Sequence, residues 1–586
     1  MLSPLKLTTF TLLLTTFTSC FEHSSQDHQI TEGKHGVFLG GAMRLNEVEN
    51  FKSLNPIAVN EMTSFHIGTQ LFEGLVKFNQ NDLSIMPAIS NGWQSSEDQT
   101  EWIFQIRKNI TFHDDACFPE GKGRVLTIND IKYCFDKLCT NDPNNTQFDV
   151  TFKDRVVGAN EAFEASKTGK NISVSGVKII NDSTISISLK NPIAGFLNII
   201  AMPGCWIYPK EAVDKYKLDI RTHPVGTGPF YLETLKEGQF LVMKKNPDYY
   251  GIDSFGNKLP YLDGLKYTFI NEKKTEILEF KSGNLDVVYR LPVEIFHELM
   301  GDLSHAKEHK NNFQILNSPA FNTTYIGFNC ANKIFNKKEI RLAFNYAIDR
   351  QKIADFTIRG EGTAADYGIV PYDETFEKDG YNYKKIKGYT FDVTKAKEFL
   401  KQAGYPDGKK FPKTILEINA GGGDRNILVA GAIQKMLKEN LNIDIDINVV
   451  SMTQHVEQMS SGKSDLFSSS WVADYPDPET FLTIFYGKHV PNNPNEKSYI
   501  NLFRYKNHQF DSLFQLSFSE PNLAKRYALL SKAEQIMLND APCMPIFYNE
   551  NYRLEQLNVR NFSENAMNYM DLSIVYLIPE NRMNKR

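Results

Sequence analysis

The chain has 586 residues, which is more than one hydrophobic core usually supports, so its length favours several domains. Its composition, 41% hydrophobic and 23% charged residues, is that of a globular protein rather than a disordered one. The net charge is only −5, and no basic block could neutralise a phosphate backbone, so nucleic acid is not an expected partner.

The N-terminus has the features of an export signal. Lys6 precedes an apolar stretch from Leu7 to Phe17, which is shorter than the ~20 residues needed to span a bilayer. Thr18-Ser19-Cys20 resembles the lipobox of bacterial lipoproteins, although Phe17 stands where that motif prefers leucine. We therefore predict a signal peptide over 1–19, lipid attachment at Cys20 and a polar tether over 20–35. A plain signal peptide that happens to contain a cysteine is the alternative.

Six further cysteines leave the disulfide pattern open. An even number in an exported protein permits disulfides, but six cysteines allow 15 pairings and sequence does not choose among them. The 12 histidines form no HExxH motif or paired cluster, so no metal site is predicted. The six are Cys117, Cys134, Cys139, Cys205, Cys330 and Cys543.

The first half of the chain reads mostly as strands. An extended segment to Asn55-Pro56 is followed by a helical pattern that stops at Gly74. WQSSEDQTEWIFQI alternates apolar and polar residues around a turn, which predicts a hairpin. Thr127 and Asp130 predict a helix that begins with a capping box. Two alternating runs between 172 and 191 predict a strand pair that turns at Asn181-Asp182.

After about 315 the chain becomes richer in helices. NKKEIRLAFNYAIDRQKIADF predicts two consecutive helices, and DVTKAKEFLKQAG predicts an amphipathic helix that ends before Gly404. Residues 414–450 read as strand, helix, strand, which predicts a parallel βαβ unit. A late return to strand in CMPIFYNENYRLEQ indicates a chain that leaves one lobe and comes back.

The stretch WVADYPDP places Asp474 where a strand, LFSSSWVA, ends. An aspartate before Tyr-Pro can simply begin a loop, and Asp477-Pro478 has the pattern of such a turn. A carboxylate at a strand end beside Trp471 can also bind a cationic ligand. The pattern alone leaves both interpretations open.

Several segments in order resemble one family. LNP…LFEGLVKF, LTINDIKYCF, PVGTGPFYL, NPDYYG, PYLDGLKYTFI, IRLAFNYAIDRQKI, AKEFLKQAGYPDGK and WVADYPDP are similar to the peptide/nickel-type (family 5) solute-binding proteins of ABC importers, most like the oligopeptide-binding branch. The resemblance covers about residues 40 to 580. It implies an α/β, two-lobed fold of the periplasmic-binding-protein type (type II, with an extra domain) joined by hinge strands.

The resemblance also implies domain bounds. Lobe I would comprise 36–60, 186–316 and 546–586, the extra domain 61–185, and lobe II 317–545. The hinge strands would lie near Thr323–Asn329 and Met544–Asn549, and the ligand between lobes that close on it.

The site that the resemblance implies centres on Asp474, which would accept the α-ammonium group of a peptide. Ser470 and Val472 have the parity to offer backbone groups along one edge to an extended peptide. Trp471 would form an apolar wall, and the alternative for Trp471 is core packing. Positions 468 and 459, where that branch can carry basic side chains, hold Ser468 and Met459, so the anchor for the ligand's carboxylate is open.

The function implied is capture of extended oligopeptides and their delivery to an ABC permease and ATPase complex. The protein would act as a lipid-anchored monomer in the bacterial cell envelope, on the periplasmic face or outer surface of the cell membrane. No catalytic residue, cofactor or metal is expected, and the chain is not expected to be an enzyme. Alternatives are a nickel chelate, haem or oligosaccharide in the same cleft, with His455 the only histidine near Asp474. A signalling or adhesion role, or a hydrolase that uses Asp474 and Asp477, is a further alternative.

Overall fold

The structure, a computed structural model, describes residues 30–193, 195–289, 313–420 and 423–583. The predicted signal peptide, Cys20 and the first part of the tether lie outside these residues. The described strands are Thr31–Glu32 (β1), Phe38–Leu39 (β2), Ala42–Asn46 (β3), Val76–Phe78 (β4), Ile85–Pro87 (β5), Ser90–Ser95 (β6), Glu101–Ile106 (β7), Val177–Asn181 (β8), Thr184–Ser188 (β9), Phe230–Lys236 (β10), Phe240–Lys245 (β11), Gly264–Thr268 (β12), Val287–Tyr289 (β13), Phe313–Phe328 (β14), Gly362–Ala364 (β15), Thr414–Asn419 (β16), Ile445–Val450 (β17), Leu466–Val472 (β18), Cys543–Gln556 (β19), Val559–Arg560 (β20) and Tyr576–Leu577 (β21).

The described helices alternate with these strands throughout the chain. They are Met62–Leu71 (α1), Ile128–Leu138 (α2), Ala159–Ser166 (α3), Phe196–Ile200 (α4), Lys210–Tyr216 (α5), Lys273–Lys281 (α6), Lys338–Tyr346 (α7), Arg350–Lys352 (α8), Glu374–Lys378 (α9), Val393–Gln402 (α10), Gly423–Leu441 (α11), Met452–Ser460 (α12), Pro478–Leu482 (α13), His508–Phe518 (α14), Leu523–Asp540 (α15) and Glu580–Met583 (α16). None of the helices in the described residues is long and apolar enough to cross a membrane.

A four-stranded sheet in the order β10-β11-β12-β3 lies at one end of the molecule. Strand β12 shows the alternation expected of a sheet with one buried face, because Leu265 and Tyr267 are buried while Lys266 is exposed. β3 runs parallel to β12 and is tied to β13 by Arg44, whose backbone N–H donates to Asp286 Oδ2 at 2.7 Å.

A second four-stranded sheet, β6-β7-β9-β8, is fully antiparallel. The predicted hairpin is confirmed as β6 and β7, and the predicted strand pair as β8 and β9. Helix α2 begins at the predicted capping box, in which Thr127 and Asp130 exchange hydrogen bonds between side chain and backbone. These local patterns therefore form where the sequence predicts them.

At the other end of the molecule, the predicted βαβ unit is confirmed. β16 and β17 pair in parallel with Thr414 opposite Ile445, and α11 connects them. β18 adds to the other side of β16, so that the order across this part of the sheet is β14-β18-β16-β17. Apolar side chains from both the strands and the helices, among them Phe328, Phe344, Leu416 and Ile433, form a common buried core.

Two long antiparallel strands, β14 and β19, connect these ends. Their pairing begins with Phe313 opposite Gln556 and ends with Gly327 opposite Cys543, with register shifts after Pro319 and after Thr324. β13 pairs with the C-terminal end of β19, and β18 pairs with the C-terminal half of β14. β13 to β19 therefore form one seven-stranded sheet, in the order β13-β19-β14-β18-β16-β17 with β15 also paired to β19.

The six cysteines of the described chain are free thiols. Cys134, Cys139 and Cys205 lie in one buried cluster, and burial raises the pKa of each thiol well above its usual range.

Candidate ligand-binding site

The last residues of β18 have a strand partner on one side only. β14 pairs with the whole strand, from Leu466 to Val472, whereas β16 pairs only with Leu466 and Phe467. Within the described residues, the edge of β18 that faces away from β14 therefore carries no strand partner beyond Phe467.

Two hydrogen bonds fix the direction of the peptide groups along that edge. The N–H of Ala473 donates to Phe321 O on the β14 side at 2.9 Å, whereas Ser468 O faces the opposite side and lies 2.8 Å from His455 Nε2. Alternate residues of an antiparallel strand direct their peptide groups to the same edge. Ser470 and Val472 therefore turn their N–H and C=O groups away from β14, with the parity that the sequence predicts.

Side-chain exposure along the strand follows the same alternation. The side chains of Ser470 and Val472 are exposed, and Val472 has a relative exposure of 52%. Trp471 is half-buried and packs against the large hydrophobic core, and its Nε1–H donates to Thr480 Oγ1 at 3.3 Å. The tryptophan thus contacts the core and also presents part of its ring at the surface.

Asp474 follows directly after this strand, and its backbone is held by the same hydroxyl. Its N–H donates to Thr480 Oγ1 at 3.2 Å, and Thr480 Oγ1 donates to Asp474 Oδ2 at 3.4 Å. The carboxylate is open to solvent but lies in a deep recess, and desolvation there raises its pKa to about 6. The Thr480 hydrogen bond and the charge of Arg155 act in the opposite direction.

Thr480 is positioned by helix α13, which Asp477 caps. Asp477 Oδ1 accepts the N–H of Glu479 at 2.8 Å, and Pro478 occupies the first helical turn, where its missing N–H costs nothing. Asp477 Oδ2 also forms a buried ion pair with Arg526 Nη1 at 2.6 Å. Asp477 is 3% exposed, so it does not form a pair of accessible carboxyl groups with Asp474.

The opposite wall of the recess comes from a distant part of the chain. Desolvation raises the pKa of both the Asp474 and the Glu479 carboxyl, and the positive charge of Arg155 acts against that rise in each. An ideal Cβ on Gly195 would lie 3.8 Å from Cε2 of Tyr475, which directly follows Asp474. Residues that precede β10 therefore lie close to the end of β18.

His455 is not accessible to a ligand in this arrangement. It is 1% exposed, with Nδ1 2.8 Å from Glu417 Oε1 and Nε2 2.8 Å from Ser468 O. Ser468 and Met459 are also buried. His455, the histidine that the sequence suggested for a metal chelate, is therefore not available to bind one. The neutral side chains of Ser468 and Met459 do not face the recess either. No group of three or more potential metal-ligating side chains occurs in the described part of the chain.

Two residues of this site were not predicted. Thr480 had a local signal, because capping by Asp477 places it in the first turn of a helix that begins beside Asp474. Arg155 had none, because it precedes Asp474 by more than 300 residues. The predicted ligand-binding residues Ser470, Trp471, Val472 and Asp474 lie together at one edge, and their role in binding stays a prediction.

The sequence has many relatives of known name. Residues 84–493 match the family described as bacterial extracellular solute-binding proteins, family 5 Middle. The oligopeptide-binding protein OppA of Bacillus subtilis is 27% identical over 508 residues, which make up 85% of each chain. Heme-binding protein A of Haemophilus influenzae is 25% identical over 525 residues, 88% of each chain.

A solved structure has the same fold. The periplasmic binding protein DppA from Helicobacter pylori, in complex with the peptide STSA, gives a TM-score of 0.71 at 25% identity. The match covers 92% of this chain and 98% of that one. The predicted two-lobed α/β fold is confirmed by this likeness. Since the family match takes in more than half of its residues, the chain belongs to the bacterial extracellular solute-binding proteins of family 5.

Proposed function

We propose that this protein captures extended oligopeptides between its two lobes and delivers them to the permease of an ABC importer. The observation that carries the proposal is the open edge of β18, which ends at the recessed carboxylate of Asp474. The names of the relatives agree, since OppA is an oligopeptide-binding protein and the DppA structure holds a peptide.

The proposed binding mode follows from the geometry of that edge. The outward peptide groups of Ser470 and Val472 would pair with the main chain of an extended peptide, irrespective of its side chains. Asp474 would then bind the ammonium group that every free peptide N-terminus carries. A charge-assisted hydrogen bond of this kind contributes roughly 1.5–3 kcal/mol. Trp471 would contact a ligand side chain.

The test compares Asp474→Ala with the parent protein by isothermal titration calorimetry. Peptides with a free N-terminus should bind the variant about tenfold to a hundredfold more weakly, in line with that energy. The same peptides with an acetylated N-terminus should bind both proteins within about twofold. Equal losses for both peptides would overturn the ammonium role of Asp474.

Native mass spectrometry of the gently purified protein tests the ligand class. A series of bound masses that match short peptides would support the proposal. A bound haem, which the name of Heme-binding protein A makes the main competitor, would keep the fold and overturn the peptide assignment. A nickel chelate or oligosaccharide would do the same. Family 5 proteins bind solutes, and we propose that this one likewise performs no chemistry.

We further propose that the mature protein is a monomer anchored through a lipidated Cys20. The TSC sequence before the mature chain supports the anchor. Cys20→Ser should release the protein from the membrane fraction into the soluble fraction, and retention of the variant in the membrane would contradict this.

We also propose lobe I at 36–60, 186–316 and 546–586, the extra domain at 61–185, and lobe II at 317–545. The long strands β14 and β19 would form the hinge between them. A smaller radius of gyration with bound peptide, measured by small-angle X-ray scattering, would support closure of the lobes.

A further inference from the structure

A cavity of about 360 Å³ lies where the ends of several elements meet. Asn46 at the end of β3, Tyr289 at the end of β13 and the first turn of α1 form one side. Residues 551–553 of β19 and the segment that contains Glu564 and Asn568 form the other. None of the residues assigned above to peptide binding lines this cavity.

The cavity nevertheless lies close to Asp474. The carbonyl of Phe321 accepts the N–H of Ala473 at 2.9 Å, and the N–H of Phe321 donates to Ala566 O at 2.9 Å. Ala566 belongs to the segment that lines the cavity. Ala473 and Ala566 are therefore both hydrogen-bonded to Phe321.

The lining of the cavity is predominantly acidic. Among the described residues, it contains five carboxyl groups and two permanent cations, Lys273 and Arg553. Both cations already have carboxylate partners, because Lys273 Nζ lies 2.7 Å from Glu276 Oε2 and Arg553 Nη2 lies 3.1 Å from Glu555 Oε2. The five carboxyl groups of the lining belong to Glu47, Glu49, Glu61, Glu276 and Glu564.

A buried histidine supplies an independent sign of a ligand. His66 lines the cavity, is 4% exposed, and places Nδ1 2.7 Å from Glu47 Oε1. When Nδ1–H donates to that carboxylate, Nε2 becomes a hydrogen-bond acceptor. Within the described residues, Nε2 has no partner, and neither does the amide Nδ2 of Asn551, which also lines the cavity. A buried acceptor without a donor is costly unless a ligand supplies one.

We propose that this cavity is a second subsite, which binds the basic side chain of a lysine or arginine that follows the first residue of the bound peptide. The proposal rests on the proposed function. The ligand cation would meet the acidic lining and donate to His66 Nε2, while Asn551 Nδ2 would donate to a main-chain carbonyl. A ligand carboxylate fits less well, because the five carboxyl groups of the lining outnumber its two cations, although Arg553 Nε has no hydrogen-bond partner among the described residues.

The first experiment uses the parent protein and a set of tetrapeptides. Tetra-alanine with lysine at position two, three or four is compared with the same peptides that carry norleucine, which has a similar apolar stem without the charge. We expect lysine at one of these positions to bind about fivefold more tightly than norleucine there, and the advantage to fall at high salt. Equal affinity for lysine and norleucine at every position would overturn the subsite.

The second experiment uses Glu49→Lys. Glu49 is exposed, and no hydrogen bond or ion pair of its side chain is found in the described residues, so the change should not disturb folding. The variant should lose the preference for lysine over norleucine. Glu97→Lys makes the same change of charge in an exposed turn of the β6–β7 hairpin and should keep the preference.

The outcomes separate the subsite from the proposed function. A lysine preference that survives Glu49→Lys unchanged would place the basic side chain elsewhere and overturn the subsite. Tight binding of all tetrapeptides without any preference would do the same but keep the peptide function. If no tetrapeptide with a free N-terminus bound at all, the peptide function would fail and the subsite with it.

Discussion

The hydroxyl of Thr480 both accepts the N–H of Asp474, at 3.2 Å, and donates to Asp474 Oδ2, at 3.4 Å. Among the described residues, no other side chain is found to hydrogen-bond the Asp474 carboxylate. An ionised carboxylate has about four acceptor positions, so most remain open for a ligand. Thr480 thus orients the carboxylate and partly offsets the rise in its pKa that desolvation causes, while most acceptor positions stay open.

Thr480→Val should weaken peptide binding without unfolding the protein. The change preserves side-chain shape but removes the hydroxyl that Asp474 and Trp471 both contact. We expect a loss of about fivefold in affinity for free peptides, in line with one neutral hydrogen bond. Thr480→Ser, which retains the hydroxyl, should bind within about twofold of the parent in the same titration. Equal losses for both variants would show that the hydroxyl is not the cause.

Peptide affinity should follow a bell-shaped dependence on pH, whose acidic side lies near pH 6. Binding of an ammonium group requires the ionised form of Asp474, whose pKa is raised to about 6, so affinity should fall as the pH drops through that value. Above about pH 8 affinity should fall again, because the peptide's own amino group loses its proton. Dissociation constants measured from pH 5 to pH 9 should give this bell shape, and a lower limb near pH 4 would contradict it.

The same pKa predicts a stability effect of opposite sign. The folded protein binds this proton more tightly than the unfolded chain does, so the free energy of unfolding should decrease as the pH rises from about 4 to 6. Asp474→Asn removes the ionisation and should therefore leave the Tm of the unliganded protein at pH 7.5 unchanged or higher. A clearly lower Tm, measured by calorimetry, would mean that the carboxylate stabilises the fold.

Peptide binding should change the fluorescence of Trp471. This half-buried indole lies at the open edge of β18, so an added peptide would shield it from water and shift its emission to the blue. The chain has 4 tryptophans, so a substitution is needed to assign the signal. Trp471→Phe should abolish the shift, whereas Trp93→Phe should retain it. A shift that persists in Trp471→Phe would contradict the proposed contact.

Arg526→Met should strongly destabilise the protein. Arg526 pairs with Asp477 and also lies 3.3 Å from Glu479 Oε2, and its own side chain is 1% exposed. Removing it leaves buried carboxylates without a counter-charge, which costs about 3–5 kcal/mol in the free energy of unfolding. Urea denaturation should reveal this loss.

Arg221→Met provides the matched control for Arg526→Met. It removes an arginine whose pair with Glu237 is exposed, and it should cost less than about 1 kcal/mol. Similar losses for the two variants would show that burial does not govern the strength of the Arg526 pair.

Local signals in the sequence predicted local structure well. The capping box of α2, the β6–β7 hairpin and the parallel β16–β17 pair depend on residues that are neighbours in the chain, and each formed as predicted. Of the two helices predicted over NKKEIRLAFNYAIDRQKIADF, the second became the short α8 followed by a π-helical turn over Ile353–Thr357.

Contacts between distant residues were beyond the reach of sequence patterns. The strand that ends at Asp474 was visible, and the parity of Ser470 and Val472 followed from it. The approach of Arg155 to Asp474 and the hydrogen bond from Phe321 to Ala566 both depend on tertiary packing. For the same reason, the acidic cavity had no signal in any single segment.

The shared strands β14 and β19 have a consequence for how the molecule can be divided. The chain enters the seven-stranded sheet along β14 and returns to it along β19, and the two strands pair over most of their length. A single cut anywhere between them would leave each fragment with one of these strands and without its neighbour. Neither half could then complete its own sheet. We therefore expect that evolution keeps, exchanges or loses the two lobes together.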